Sequence, residues 1–152
     1  MIKKQGLHSD HRKIALLWNS EFIDAPYKLG GMSKEEGYDC VSMIYCLLFR
    51  LGMNIDIHWG KKVNITNYWY GYKLWLLPKL LRNMGEIVSI DHRKAGDILL
   101  CYFRNANQWG GVIYLGNEIC GIVNGEIGKV GTCPFRLISP WIVEARRCHN
   151  YS

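Results

Sequence analysis

Residues 25–51 read Ala25-Pro26-Tyr27-Lys28-Leu29-Gly30-Gly31, a six-residue connection from Met32 to Gly37, then Tyr38-Asp39-Cys40-Val41-Ser42-Met43-Ile44-Tyr45-Cys46-Leu47-Leu48-Phe49-Arg50-Leu51. A proline and paired glycines, followed by Ser33-Lys34-Glu35-Glu36-Gly37, fit a loop with a solvated edge rather than the interior of an element. Past Asp39 the pattern turns. Cys40, Met43, Ile44, Leu47, Leu48 and Leu51 are apolar or small at helical spacing, and Gly52 follows as a C-terminal stop. This is the signature of a buried helix with Cys40 in its first turn. A cysteine placed there sits beside unpaired backbone N–H groups and the positive end of the helix dipole, which lowers a thiol pKa and favours the thiolate. Cys40 is therefore the candidate nucleophile, against the ordinary reading of a free cysteine as a small core residue.

Working outward, Ile14, Leu17, Trp18 and Phe22 recur at helical spacing after Ser9, an N-cap residue, and predict a first helix ending before Ala25-Pro26. Asn67 to Asn83 reads as a helix with aromatic and leucine faces (Tyr68, Trp69, Tyr72, Trp75, Leu76, Leu80), limited or kinked by Pro78. After Gly96-Asp97 come strand-like runs at Ile98 to Phe103, Gly111 to Leu115, Glu118 to Val123 and Trp141 to Arg147, separated by Asn, Gly and Pro. Helices precede strands, so the predicted class is α+β with an antiparallel sheet. A length of 152 residues, without repeat or linker, predicts a single domain over 1–152.

Hydrophobic content of 49% with 21% charged residues excludes a disordered chain. Nineteen basic against thirteen acidic residues give a net charge of +6, which favours anionic surroundings such as nucleic acid, anionic lipid or a cell-wall polymer. The basic residues are scattered (Lys3 and Lys4, Lys61 and Lys62, Arg93 and Lys94, Arg146 and Arg147) without a nucleic-acid-binding spacing, so no nucleic-acid partner is expected. Trp59, Trp69, Trp75, Trp109 and Trp141 accordingly read as core or cleft-wall aromatics. Six cysteines in a chain this long and apolar read as reduced, mostly buried thiols. His8, His11, His58, His92 and His149 are not at metal-ligand spacing from them, so neither metal nor other cofactor is expected. His8, Asp10, His11 and Arg12 interrupt any apolar stretch before Ile14, which predicts no secretory leader, no membrane span and synthesis in soluble form in the cytoplasm.

The order Pro26-Tyr27-x-x-Gly30-Gly31, short loop, Tyr38-Asp39-Cys40 and apolar helix resembles the NlpC/p60 superfamily of papain-like cell-wall cysteine peptidases. That family's pattern is Pro-Tyr-x-x-Gly-Gly, a short loop, then aromatic-Asp-Cys-Ser-Gly. Downstream, Gly96-Asp97-Ile98-Leu99 and Val112-Ile113-Tyr114-Leu115-Gly116 resemble its strand starts, and Trp141 to Arg147 resembles its closing strand. The likeness covers residues 9 to 148. It implies an NlpC-type fold, N-terminal helices on a small antiparallel sheet, and cleavage of peptidoglycan stem peptides through a Cys40 acyl-enzyme. It assigns Tyr27 to the lining of the site and Asp39 to the acidic place beside the bound peptide.

The same comparison exposes departures. Val41-Ser42 stands where the family has Ser-Gly. The family histidine lies four residues before the strand tyrosine, which here is Gly110, and the polar residue that orients it falls at Ile122. Gln108 shares a strand face with Gly110, and a bulge at Gly110-Gly111 would bring it nearer Cys40; with Trp109 it is assigned to substrate binding. His92 and His58 are the substitute bases the sequence offers, ahead of His149. Two functions follow: a stem-peptide peptidase, or an inactive relative that binds wall peptide or serves as a structural part of a larger assembly. A papain-like acyltransferase or thioesterase would need the same histidine. The lack of an export signal implies carriage to the wall, with phage-tail or gene-transfer-particle proteins as partners, or release by lysis.

Overall fold

The computed structural model describes residues 11–52, 82, 84–124 and 126–148. Helix α1 (His11–Glu21) buries Ile14 and Trp18, and the chain leaves it through Phe22, whose ring stacks between Trp18 at 5.6 Å and Tyr38 at 4.9 Å. The loop that follows carries a two-strand hairpin, β1 (Met32–Ser33) against β2 (Gly37–Tyr38), and delivers the chain to α2 (Cys40–Arg50). Then come β3 (Glu86–Val88), β4 (Ile98–Phe103), β5 (Gln108–Gly116), β6 (Ile119–Asn124), β7 (Lys129–Pro134), the short helix α3 (Phe135–Ile138) and β8 (Ile142–Arg147). The larger sheet has the order β3-β8-β4-β5-β6-β7, antiparallel throughout.

Strand side chains alternate between faces, and the core divides accordingly. Ile98, Leu100, Ile113 and Leu115 pack with Ile14, Trp18, Met43, Ile44 and Leu47 on the helical side. Leu99, Cys101, Val112, Tyr114 and Cys120 pack with Phe135, Ile138 and Ala145 on the other. Covered on both faces, β4 needs no polar alternation, which is why Ile-Leu-Leu-Cys-Tyr-Phe is a continuous apolar run. Each fully buried large side chain of this kind stabilises the fold by about 1.5–3 kcal/mol. Gly121 lets α1 settle: a Cβ there would stand 2.4 Å from the Trp18 ring. The start of β4 is pinned by Asp97, fully buried, which accepts from Arg147 Nε at 2.7 Å, Arg147 Nη2 at 2.8 Å and Lys94 N at 2.8 Å.

The α+β class and the antiparallel sheet agree with the sequence, and β4 has the bounds expected of it. Helix α2 ends at Leu51 with Gly52 in the left-handed region at φ 80°, as its glycine stop required. Strand β5 starts earlier, at Gln108, and Trp141 belongs to a 3-10 turn before β8. Strands β3 and β7 and the β1–β2 hairpin escaped the sequence reading. The helix expected over residues 67–83 lies outside the described residues. Among the described residues, no helix is long and apolar enough to cross a membrane.

Candidate functional site

The site begins at the first turn of α2. Asp39 is its N-cap: Oδ1 accepts from Ser42 N at 2.8 Å while Ser42 Oγ accepts from Asp39 N at 3.0 Å, a reciprocal capping box. The other carboxylate oxygen accepts from Gly30 N at 2.7 Å, tying the glycine loop to the helix start. Loop and hairpin are stacked backbone on backbone. Tyr38 N donates to Pro26 O at 2.9 Å and Lys28 N to Tyr38 O at 3.0 Å. Gly37, at φ 112°, passes so near Pro26 that a Cβ would stand 2.2 Å from its carbonyl oxygen. On its far side the loop bonds to β7 and the turn before it, through Asp24 N to Val130 O, Val130 N to Ala25 O and Tyr27 N to Gly128 O. The departure at Val41-Ser42 thus supplies a cap that the sequence reading did not assign; the Asp-x-x-Ser spacing was its signal.

A cleft of about 490 Å³ opens over Cys40. Tyr27, Leu29, Asp39 and Cys40 line it from the loop and the start of α2, Phe103 and residues 108–111 from β4 and β5, and Ile122 and Glu126 from β6 and the turn after it. Tyr27, Asp39, Cys40, Gln108 and Trp109 all line this one cleft. Glu126, on the turn between β6 and β7, was missed, because a charged residue in a Gly-Glu-Ile-Gly turn reads simply as solvated.

Cys40 is half-buried, and its sulfur lies beside the backbone N–H groups of Gly111, Val41 and Cys40 itself, which favour the thiolate. Burial, and then the Asp39 carboxylate, outweigh them and push the thiol up to about 12. This reverses the depressed value expected from its place on the helix. The physical reason is that the cap carboxylate places a negative charge at the same helix end, in a site where desolvation already disfavours the anion.

Gly110 pairs with Cys101 in an unbroken β4–β5 register that continues through Leu100 and Gly111. The bulge considered for Gly110-Gly111 is therefore not formed; the register irregularities on these strands lie at Tyr114–Gly116 against β6 and at Leu100–Cys101 against β8. The space beside Gly110 is filled by the Phe103 ring, whose Cε2 would be 2.7 Å from a Cβ at 110. Ile122 lines the same cleft. Cys40, Gly110 and Ile122 all line this cleft, and the last two offer no side-chain group that can take a proton.

His92 is exposed on a 3-10 turn (Ile90–His92) before β4, where its carbonyl oxygen accepts from Arg147 Nη2 at 3.0 Å. His92 is not among the residues that line the cleft over Cys40. His11 lies near Asn117, at the end of β5 remote from Gln108. His58 and His149 lie outside the described residues. Among the described residues, no histidine lines the cleft and no group of His, Cys, Asp and Glu has the arrangement to hold a metal ion.

No family model and no curated protein matches this sequence. Solved structures do match the fold. NlpC1 from Trichomonas vaginalis superposes with a TM-score of 0.66 at 18% identity, over 99% of this chain and 49% of that one. The NlpC/p60 domain of the peptidoglycan hydrolase SagA gives 0.58 at 16% identity, over 91% of this chain and 97% of that one. The peptidoglycan hydrolase RipB from Mycobacterium tuberculosis gives 0.58 at 19%, over 95% and 69%. This chain spans about half the length of NlpC1 and of NlpC2 from the same organism. Its fold is that of the NlpC/p60 domains.

Proposed function

We propose that this chain is a cell-wall-directed domain that takes a peptidoglycan stem peptide into the Cys40 cleft and, with the residues described, holds rather than cleaves it. The observation that carries the proposal is the Phe103 ring over Gly110. Acyl transfer to a thiol needs a base within hydrogen-bonding reach of the sulfur, and Phe103 packs against position 110, where the resemblance calls for a histidine. Burial and the Asp39 carboxylate both hold the thiol up, which works against the thiolate that acyl transfer needs. The rest of the cleft suits capture. Tyr27, Leu29 and Trp109 offer apolar walls, and the charged residues that line it, Asp39 and Glu126, are acidic within a chain of net charge +6, favouring an amine-bearing peptide. Carriage in a phage-tail or gene-transfer particle, expected from the sequence, belongs to the same proposal; mass spectrometry of purified particles lacking the protein would remove it.

Hydrolysis through a Cys40 acyl-enzyme is the second reading. It is favoured by the Cys40 sulfur standing at the start of α2 beside the Gly111 N–H, an arrangement that suits a developing anion, and it draws its base from beyond the described residues, where His58 lies. The test incubates purified murein with the wild-type protein and with Cys40→Ala, beside a well-characterised peptidase. Capture predicts that both co-sediment with murein and that neither releases muropeptides detectable by mass spectrometry. Release by the wild type alone establishes the second reading, and failure of both proteins to sediment rejects the binding site.

A further inference from the structure

Cys101, Cys120 and Cys133 are free thiols outside the cleft, the first two buried and the third half-buried. Cys120 and Cys133 are direct partners in the β6–β7 register. Opposed residues of an antiparallel pair point to one face, and both belong to the same hydrophobic cluster. The ladder also fixes their spacing. Phe135 N donates to Glu118 O at 2.8 Å, marking residues 118 and 135 as a hydrogen-bonded pair. Alternation makes 119 and 134 a pair without those bonds, a site where Pro134 sacrifices no donor, and makes 120 and 133 hydrogen-bonded again, with Cα atoms about 5.5 Å apart. That lies inside the Cα window of disulfides, roughly 4.4–6.8 Å, while the Cβ atoms of a hydrogen-bonded pair start about 5.5 Å apart against the roughly 3.5–4.5 Å of a relaxed bridge, so closure must draw the strands together and yields a strained, readily reduced bond. Cys101 on β4 is separated from β6 by β5 and lies level with Gly110 where Cys120 lies level with Tyr114, hence more than about 9 Å from Cys120 and outside the window.

We infer that Cys120 and Cys133 form a redox-active pair that closes to a cross-strand disulfide within the folded protein. Cys133, the accessible member, attacks a low-molecular-weight disulfide such as oxidised glutathione; that S–S bond breaks, and one glutathione leaves as thiolate with the electron pair. Cys120 then attacks the Cys133 sulfur of the mixed disulfide and expels the second glutathione. The two cysteine protons end on the two released thiols, the protein having lost two electrons and the oxidant gained them. Burial, followed by the neighbouring Cys133, pushes the Cys120 thiol up to about 12, and burial also raises Cys133, so the exchange accelerates as pH rises. Closure would staple the hairpin that carries Ile122 and Glu126 of the cleft and Val130, which bonds the glycine loop.

The test treats the folded full-length protein with oxidised glutathione at mildly alkaline pH, blocks remaining thiols, and maps tryptic peptides without reduction. Lys129 lies between the two cysteines, so trypsin separates them unless they are bridged. The expected result is one cross-linked peptide joining Cys120 to Cys133, an intact mass lower by two hydrogens, and loss of both in Cys133→Ser with an unchanged circular-dichroism spectrum. Glutathione retained on Cys133, a link through Cys101, or no link in the wild type would overturn the inference. The wild-type map decides even if the variant fails to fold.

Discussion

Replacing Gly110 by alanine adds a methyl group 2.7 Å from Phe103 Cε2, where ordinary contact begins near 3.4 Å, so the ring must retreat by about 0.7 Å. Gly110 is not among the glycines at positive φ, and alanine there gains about 0.4–1 kcal/mol by restricting the unfolded chain. Overpacking a filled site costs about 1–3 kcal/mol, so the expected net destabilisation of Gly110→Ala is about 1 kcal/mol. Phe103 is half-buried, and Phe103→Ala should cost about 2 kcal/mol, less than the 3–5 of a fully buried phenyl group. The informative quantity is the double variant. With the ring gone the added methyl meets no clash, so the pair should be less destabilised than the sum of the singles by about 1–2 kcal/mol, measured from urea unfolding of all four proteins. Additivity within about 0.5 kcal/mol would refute the reasoning, since it would mean that the ring does not occupy the space beside Gly110.

Alkylation of Cys40 by iodoacetamide, followed by peptide mapping, should be slow at neutral pH and rise continuously into the alkaline range, because burial and then Asp39 hold the thiol protonated; a plateau near neutrality would instead reveal a thiolate paired with a base. Cys40, Cys46, Cys120 and Cys148 are each raised from 9.0 to about 12, first by burial. The folded state therefore keeps protons that the unfolded state loses between those values, so stability should be flat in this respect below about pH 9 and fall from there to about 12; a urea midpoint that holds steady across that window would contradict the burial of these thiols. Ser42→Ala removes the acceptor of the buried Asp39 N–H and should cost about 1–2 kcal/mol with loss of amide protection in the first turn of α2, and unaltered hydrogen exchange there would count against the capping box. Asp97→Ala strands Arg147 and should cost about 3–5 kcal/mol in urea unfolding, whereas a loss below 1 kcal/mol would show that the pair does not anchor β4 to β8.

What the sequence made legible was whatever a local pattern dictates. Asp39 before an apolar helix and Gly52 after it fixed both ends of α2, and the unbroken apolar run fixed β4. The bare position at Gly110 was visible by counting back from Tyr114. What covers it was not, because Phe103 lies on another strand and reaches Gly110 only through the β4–β5 register. Strand β7 was hidden by its composition. Gly131 and Pro134 suggest a turn, yet Pro134 sits where the ladder asks for no N–H. The sign of the Cys40 shift was illegible for a related reason: helical position gives the dipole, whereas desolvation depends on strands that arrive seventy residues later, with Gly111 among them.

The last strand of the larger sheet is not at its edge. β8 is inserted between β3 and β4, so that among the described residues β3, formed by residues 86–88, pairs in the sheet with residues 145–147. Forming this part of the sheet therefore needs a non-local closing step, in which residues 86–88 and 98–101 pair with residues 142–147. A nascent or C-terminally clipped protein would carry β4, apolar on both faces, with one side unpaired, the kind of edge that recruits another copy and aggregates. The integrity of residues 142–147 thus decides whether the chain becomes this domain or an insoluble precursor of it.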